Sequence, residues 1–598
     1  MSELSDQIYR KLRPNIPLHI PPHAQPLNST VTLTLEGVNT RPEIFLTDTR
    51  RNYTWRVMMT NAGKNKWQAD VQLPMKATIV TYHFIVGDKK IEEHRLVESR
   101  DIPNTGNRPI YGEWTEIPFK IAVYDPAGMP AEWTKGMTVY QIFPDRFAKS
   151  QSDEQAKSHL RGVYGHEPQL LAWDKLPELP PLGRDFFGGD LRGVIQKLDY
   201  LAELGVECIY FNPIFEASTN HRYEAINFMK IDPMLGTEAD FDELIAEAHK
   251  RNIKVVLDAV FNHCSSDSIY FDIGNNYGDG AYHSVESPYY RWFNFDPHPT
   301  GYRGWWGMGF MPEFIESPEM EEYFLGENSV TTYWLNKGID GWRTDVTFDN
   351  TDEFWLRFRD RVNATKPEAW TISEEWRDAT HYLLGDMFNA TMNYRFMWAT
   401  RGFFAHDQLS PSALDDRLNV WMRDTPAPAL ASQMNLLDSH DIDRLINACG
   451  GDKAKYRQCM AFLFAHIGAP TIFYGSETAI DGTMQEDSRR TMPWDNLDND
   501  LIAYFTKLLH TRKHTPVLRT GDVQTVWAED ESRTYAIKRT LGDTVLYAVF
   551  NGGDAEATIA LDDSGTWHDL LGGIADVTGD KKLTVTLGAR GFAWLVKK

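Results

Sequence analysis

Gly341-Trp342-Arg343-Thr344-Asp345-Val346 follows Lys337-Gly338-Ile339-Asp340 and precedes a helix-like run from Asp352 to Thr365. The stretch reads as a buried strand reaching its carboxyl end. Side chains alternate at period two along a strand, so Arg343 and Asp345 share a face. The guanidinium can then keep the carboxylate ionised and oriented, fit to act as a nucleophile at neutral pH. Taken alone, the same pair also reads as an ordinary core contact, and the segments around it decide between the two.

Outward from the hexapeptide, apolar runs of strand length alternate with helix-period segments from Met137 onward. That texture argues for a parallel α/β sheet. Candidate strands begin at Thr138, Val206, Lys254, Gly338, Ala369, Met387, Ala431 and Ala469. Eight is the number for a closed (β/α)8 TIM barrel. Helices are expected over Leu191–Leu204, Glu238–Asn252, Met320–Asn336, Asp352–Thr365, Lys453–Ile467 and Leu501–His514, from apolar spacings of three and four. The gap from Cys264 to Pro318 after the third strand is too long for a plain loop and is expected to form a small inserted domain. Leu27 to Ile121 alternates apolar and polar residues, as an antiparallel sandwich does, and Pro126 to Pro130 reads as a linker. The alternation returns after Pro516. The expected domains are therefore 1–126 and 516–598 as flanking all-β sandwiches, 127–263 with 319–515 as the barrel, and 264–318 as the insertion.

The third, fourth, fifth and seventh strands end in polar residues, where a barrel of this kind puts its active site. These are Asp258 to Asn262-His263, Arg343 to Asp345, Ser373-Glu374-Glu375-Trp376, and Asp438-Ser439-His440-Asp441. Buried carboxylates are costly unless paired or used. Three of them converging in an aromatic-rich chain suit glycosidic bond cleavage, in which one attacks the anomeric carbon and a protonated one donates to the leaving oxygen. A cation site also gathers carboxylates, but two His and Arg343 add donors and positive charge there. The 598 residues carry a formal net charge of -23, which weighs against a nucleic-acid partner. No run of 18 apolar residues occurs, so no membrane span is expected. Met1 to Asn15 lacks the apolar core of a signal peptide, and Cys208, Cys264, Cys449 and Cys459 show no paired metal spacing. Reduced thiols in a cytoplasmic protein are expected.

Further segments make the chain resemble the α-amylase superfamily, in its neopullulanase, cyclomaltodextrinase and maltogenic amylase branch. They are Thr138 to Phe147, Phe186-Phe187-Gly188-Gly189-Asp190-Leu191, Asn212-Pro213-Ile214-Phe215-Glu216-Ala217, Asn220-His221-Arg222-Tyr223, the run ending at His263, and Asn435 to Asp441. The resemblance covers nearly the whole chain. It implies Asp345 as nucleophile, Glu374 as general acid/base and Asp441 as transition-state stabiliser. It also implies that His263 and His440 hydrogen-bond the sugar and Tyr223 stacks on it, with Arg343 orienting Asp345 and Asp258 and Asn262 supporting the pocket floor. Trp376 follows the acid in the family pattern as a substrate-binding residue, and Arg444 matches an arginine beside the stabiliser. Glu374 then has to keep its proton near neutral pH through burial and the charges of Asp345 and Asp441.

The match departs from the branch at several places. Met311-Pro312-Glu313-Phe314-Ile315 and Val346-Thr347-Phe348-Asp349 differ on the leaving-group side, Glu224 and Asn227-Phe228 replace expected residues, and Glu375 stands where an Ile or Val is usual. Trp305-Trp306 reads either as a sugar platform or as packing of a small domain. No cofactor is required by the resemblance. It allows calcium at Gly188 and Asp190, with Asp153 the one acidic replacement in the altered run after Phe147. The expected activity is hydrolysis of α-glucan oligosaccharides, pullulan or cyclodextrins, with a homodimer through the N-terminal domain. The alternatives are a glucanotransferase with the same trio and a non-catalytic glucan-binding relative.

Overall fold

The computed structural model describes residues 2–14, 17–97 and 113–598. The hexapeptide's strand, Gly341–Thr344, lies inside an eight-stranded sheet whose pairings are all parallel. We number its strands β1 (Val139–Ile142), β2 (Cys208–Phe211), β3 (Lys254–Ala259), β4 (Gly341–Thr344), β5 (Trp370–Ser373), β6 (Ala390–Thr391), β7 (Met434–Asn435) and β8 (Ala469–Phe473). The order is β6-β5-β4-β3-β2-β1-β8-β7, and a parallel bridge from Met392 to Met434 joins the two ends. The sheet is a closed (β/α)8 barrel, as the strand count implies. Apart from half-buried Lys254 its strand residues are buried, and a strand covered on both faces reads as a continuous apolar run such as Val255-Val256-Leu257.

Helices follow the apolar period, with caps that fix their starts. Asp352–Thr365 begins where Thr351 accepts from the Phe354 N–H, and Glu238–Lys250 begins with a capping box between Thr237 and Asp240. Two expected helices are each broken in two. Leu191–Gln196 and Leu198–Leu204 meet at Lys197, whose ψ of 3° leaves the helical region. Pro318–Leu325 ends at extended Gly326, and Ser329 caps a fresh start at Val330–Asn336. The apolar period runs through both breaks because both halves face the same barrel. Tyr394–Thr400 and Pro411–Asp424, between β6 and β7, were not anticipated from the sequence.

Ahead of the barrel, Glu3–Lys11 forms a helix, and residues 25–91 with 119–124 supply two facing sheets around Leu33, Leu35, Ile44, Val80, Phe84 and Ile121. After it, a six-stranded and a two-stranded sheet enclose Ile559, Trp567, Val585 and Leu595. Between His263 and Ser317 the chain holds two short 3-10 turns, Tyr290–Trp292 and Trp305–Gly307, packed through Phe271, Phe293, Phe295 and Tyr302. Among the described residues, no helix is long and apolar enough to cross a membrane.

Candidate active site

Arg343 is the hub. Its register against Asp258 on β3 is direct, and its side chain has no solvent exposure. Nη1 donates to Asp258 Oδ1 at 2.8 Å and Oδ2 at 2.9 Å, and to Asp345 Oδ1 at 2.7 Å. Nη2 lies 3.0 Å from Glu374 Oε2 as an ion pair. Asp345 and Glu374 are the residues just past the ends of β4 and β5, so one guanidinium holds both carboxylates from below. A second link joins them above it. Val346 sits at φ 38°, ψ 49°, a left-handed conformation that a β-branched residue adopts only under strain. That turn aims the Val346 N–H at Glu374 Oε2, 2.8 Å away. Trp376 Nε1 donates to the other oxygen at 2.9 Å, and its ring stacks on Tyr394 with centroids 4.0 Å apart. Glu375 turns away, as strand alternation requires, and accepts from Arg377 Nε at 2.8 Å.

Asp441 joins the same cluster from the loop after β7. Its Oδ1 lies 3.2 Å from His440 Nε2 and accepts from Gln485 Nε2 at 3.3 Å. Burial and the Glu374 charge push its carboxyl up to about 6. Asp345 is pushed well above the usual carboxylate range by burial and then by Glu374, against the pull of Arg343. The Arg343 guanidinium is shared among three carboxylates, so its pull on Asp345 only partly offsets burial and the Glu374 charge. Asp258 is also raised, by burial first. Acids that interact this closely titrate as a group, with values that belong to the cluster and not to one residue.

The two histidines are neutral there. Burial takes His263 down to about 4 and His440 well below its ordinary value. Tyr223 ties them to the floor: its hydroxyl donates to Asp258 Oδ2 at 3.0 Å and accepts from Asn212 Nδ2 at 2.8 Å, with His440 Nε2 2.5 Å away. Its ring is stacked on His440, at 7° between planes. His263 Nε2 is 3.0 Å from the Tyr223 carbonyl and Nδ1 is 3.3 Å from Asn262 Nδ2, so both ring nitrogens have protein neighbours. Trp305 lies over the His263 ring at 5.1 Å and donates to Asp349 Oδ2 at 2.8 Å, which brings the inserted segment to the rim. Trp306 stacks on Trp305 and stays 66% exposed.

Arg444 is not at the site. Its guanidinium is fully buried, donates to the carbonyls of Ser488 and Tyr474 at 2.7 and 2.6 Å, and lies 3.9 Å over Phe473. It braces the loop after β8 from beneath. The arginine beside Asp441 is Arg489, which sequence reasoning missed. Its Nε donates to the His440 carbonyl at 2.9 Å and its Nη2 lies 3.8 Å from Asp441 Oδ1.

The calcium residues do not fit a cation. Asp190 Oδ2 accepts from the N–H groups of Ser150 and Gln151, and Oδ1 from Ser150 Oγ and the Gly193 N–H, the last as a helix cap. The Gly188 carbonyl accepts from Gln151 Nε2 at 3.3 Å, and exposed Asp153 pairs with Lys149. Positive and donor groups stand where a metal needs oxygens. Among the described residues no three His, Cys, Asp or Glu gather to hold a metal. Exhaustive dialysis against EDTA is expected to leave melting temperature and activity unchanged; a fall of several degrees that calcium reverses would refute this.

The geometry has counterparts among known proteins. The family model for the alpha amylase catalytic domain matches residues 141–501. An amylopullulanase of Thermoanaerobacter thermohydrosulfuricus is 36% identical over an alignment of 557 residues that covers 80% of this chain and 37% of that protein. The chain thus spans less than half the length of the amylopullulanases it matches. Neopullulanase 2 of Thermoactinomyces vulgaris is 34% identical over 470 residues, covering 76% of this chain and 77% of its own. A solved cyclomaltodextrinase superposes with a TM-score of 0.72 over 97% of this chain and 99% of its own, at 28% identity. The chain belongs to the α-amylase family of glycoside hydrolases, alongside its neopullulanases, cyclomaltodextrinases and maltogenic amylases.

Proposed function

We propose that the protein is a retaining α-glucan hydrolase that cleaves α-1,4-glucosidic bonds in cyclodextrins, pullulan or short maltooligosaccharides, with α-1,6 bonds open to the same site. The supporting observation is that Arg343 binds Asp345 through Nη1 and Glu374 through Nη2. Two acids on one guanidinium suit the closer carboxyl spacing of retaining enzymes, about 5–5.5 Å, better than the wider inverting one. Asp345 attacks the anomeric carbon as Glu374 gives its proton to the departing oxygen, forming a glycosyl ester. Glu374 then takes a proton from water, which attacks the same carbon and frees Asp345. The mechanism needs a protonated Glu374 and an ionised Asp345 at the moment of attack, and a glycosidic oxygen accepting from Glu374 selects that arrangement. Asp441, neighboured by His440 and Arg489, faces the charge that develops on the ring.

Phe348 supports a second reading, transfer to a sugar acceptor. It is 37% exposed beyond the nucleophile turn, with the Arg377 guanidinium 5.4 Å over its ring. An apolar acceptor side disfavours water. Chromatographic profiles from cyclodextrin, pullulan, maltotriose and starch separate the readings. Glucose and maltose alone from maltotriose are the expected result, longer products mean transfer, and no product from any substrate means a binding protein. Proton NMR of the fresh product should show the α-anomer first, and the β-anomer would end the retaining assignment. Four buried free thiols support a cytoplasmic setting. Exposed Tyr53 and Met58 on the N-terminal sandwich support pairing of two copies there, which sedimentation reads out.

A further inference from the structure

The loop that starts with Glu374 is anchored at its far end outside the barrel. Lys120, on the N-terminal domain's strand Phe119–Tyr124, donates through Nζ to Asp378 Oδ2 and, at 3.1 Å, to Thr380 Oγ1. Arg95 Nη2, from Glu93–Val97, lies 3.4 Å from the same Asp378 oxygen. Arg50 donates to the His381 carbonyl at 2.9 Å and to Asp386, and the Asp125 N–H donates to the Leu384 carbonyl at 2.8 Å. One domain therefore grips the segment from Asp378 to Asp386 at several points.

The grip is charged and buried. Lys120 and Arg95 also meet Asp424 Oδ2, at 3.0 and 2.7 Å, and Arg423 links Asp424 to Glu93 at 3.0 and 2.8 Å. None of these five side chains is more than 10% exposed. Cohesion between the domains could be met by Asp424 alone, since it already pairs with both cations. Yet both reach on to Asp378, which is 32% exposed and four residues past Glu374. Between the two lies Trp376, which donates to Glu374 Oε1 and stacks on Tyr394. A displaced Asp378 would carry Trp376 with it, and an error of about 1 Å at a reacting group can cost about 10²-fold.

We propose that Lys120, aided by Arg95, is a positioning residue for the acid/base: through Asp378 the N-terminal domain fixes the loop that aims Glu374 and Trp376 at the leaving oxygen. The N-terminal domain is then part of the catalytic unit. This rests on reading Glu374 as the acid/base.

Proton donation matters in proportion to how badly the leaving group needs it. Maltotriose needs it fully. α-Maltosyl fluoride leaves with little help, and with azide as acceptor no proton has to be removed either. In the full chain, Lys120→Met is expected to lower kcat on maltotriose by roughly 10- to 100-fold with little change in KM. Fluoride release from α-maltosyl fluoride with azide should stay within about twofold of wild type, and Lys120→Arg should restore most of the maltotriose rate. Melting temperatures accompany each variant. If Lys120→Met does not fold, Asp378→Asn weakens the same link from the barrel side, together with the 3.4 Å pair of Arg395 with Asp378, while Lys120 keeps Asp424. Equal loss on both substrates, or loss on neither, overturns the proposal. Glu374→Gln run alongside should show the same split more deeply. If it loses both substrates evenly, the acid/base reading has failed; a clean split there with none in Lys120→Met fails the positioning role alone.

Discussion

Asp345→Asn is expected to remove turnover by on the order of 10⁴-fold or more while leaving the protein folded. The amide keeps the carboxylate's volume and can still accept from Arg343 Nη1, so the strand end has no packing reason to move. It cannot form the glycosyl ester, and nothing else at the end of β4 can replace it. Stability should hold or rise. The Asp345 carboxyl is pushed up by burial and by Glu374, so its folded value exceeds its unfolded one. A carboxyl shifted that way costs stability once the pH passes its unfolded value near 4, and the cost grows until the folded group ionises. Removing it therefore returns stability as pH rises through neutrality, and the melting temperature of the variant relative to wild type should be higher at pH 8 than at pH 4. Initial rates on maltotriose, with product detection sensitive to 10⁻⁵ of wild type, give the first readout. Activity within tenfold of wild type would mean that another group attacks the anomeric carbon.

The barrel was legible because its strands are buried on both faces and read as apolar runs between helical periods. Even β6 and β7, only two residues each, fall where the alternation puts them. The candidate site was legible for a related reason: residues at strand ends share one rim, so Asp258, Arg343, Asp345, Glu374 and Asp441 had to come near one another. What failed was side-chain direction in loops. Arg444 follows Asp441 closely along the chain, but its backbone caps the short helix Leu445–Ala448 and its side chain turns inward onto Phe473. Arg489 reaches the site from a contact 49 residues away in sequence, with no periodicity to mark it. The ion pair of Lys120 with Asp378 spans 258 residues, and no local pattern announces it. Sequence adjacency tells which residues share a loop, and packing decides which of them face the substrate.

Arg343→Met should damage stability severely, and its damage should depend on pH. Methionine fills a similar volume beside Met392, whose sulfur already lies 3.2 Å from Arg343 Nε. It leaves Asp258, Asp345 and Glu374 without their shared cation, and breaking a buried ion network by removing one partner costs about 3–5 kcal/mol. The sign follows from the acids. Arg343 holds the Asp258 and Asp345 carboxyls down against burial, so without it both rise further above their unfolded values. At pH 4 to 5 these groups are protonated in the variant and little is lost. As pH rises, the unfolded chain ionises them and the folded chain cannot, so the deficit grows toward pH 8. On the proposed mechanism the attacking carboxyl is also harder to ionise, so kcat/KM at pH 7 should fall by about tenfold or more and its acidic limb should move to higher pH. Melting curves at pH 5 and pH 8 measure the difference, and adding Asp258→Asn to Arg343→Met should recover part of the loss at pH 8 only. An equal drop at both pH values, untouched by Asp258→Asn, would show that Arg343 supports the barrel through packing and not through its charge.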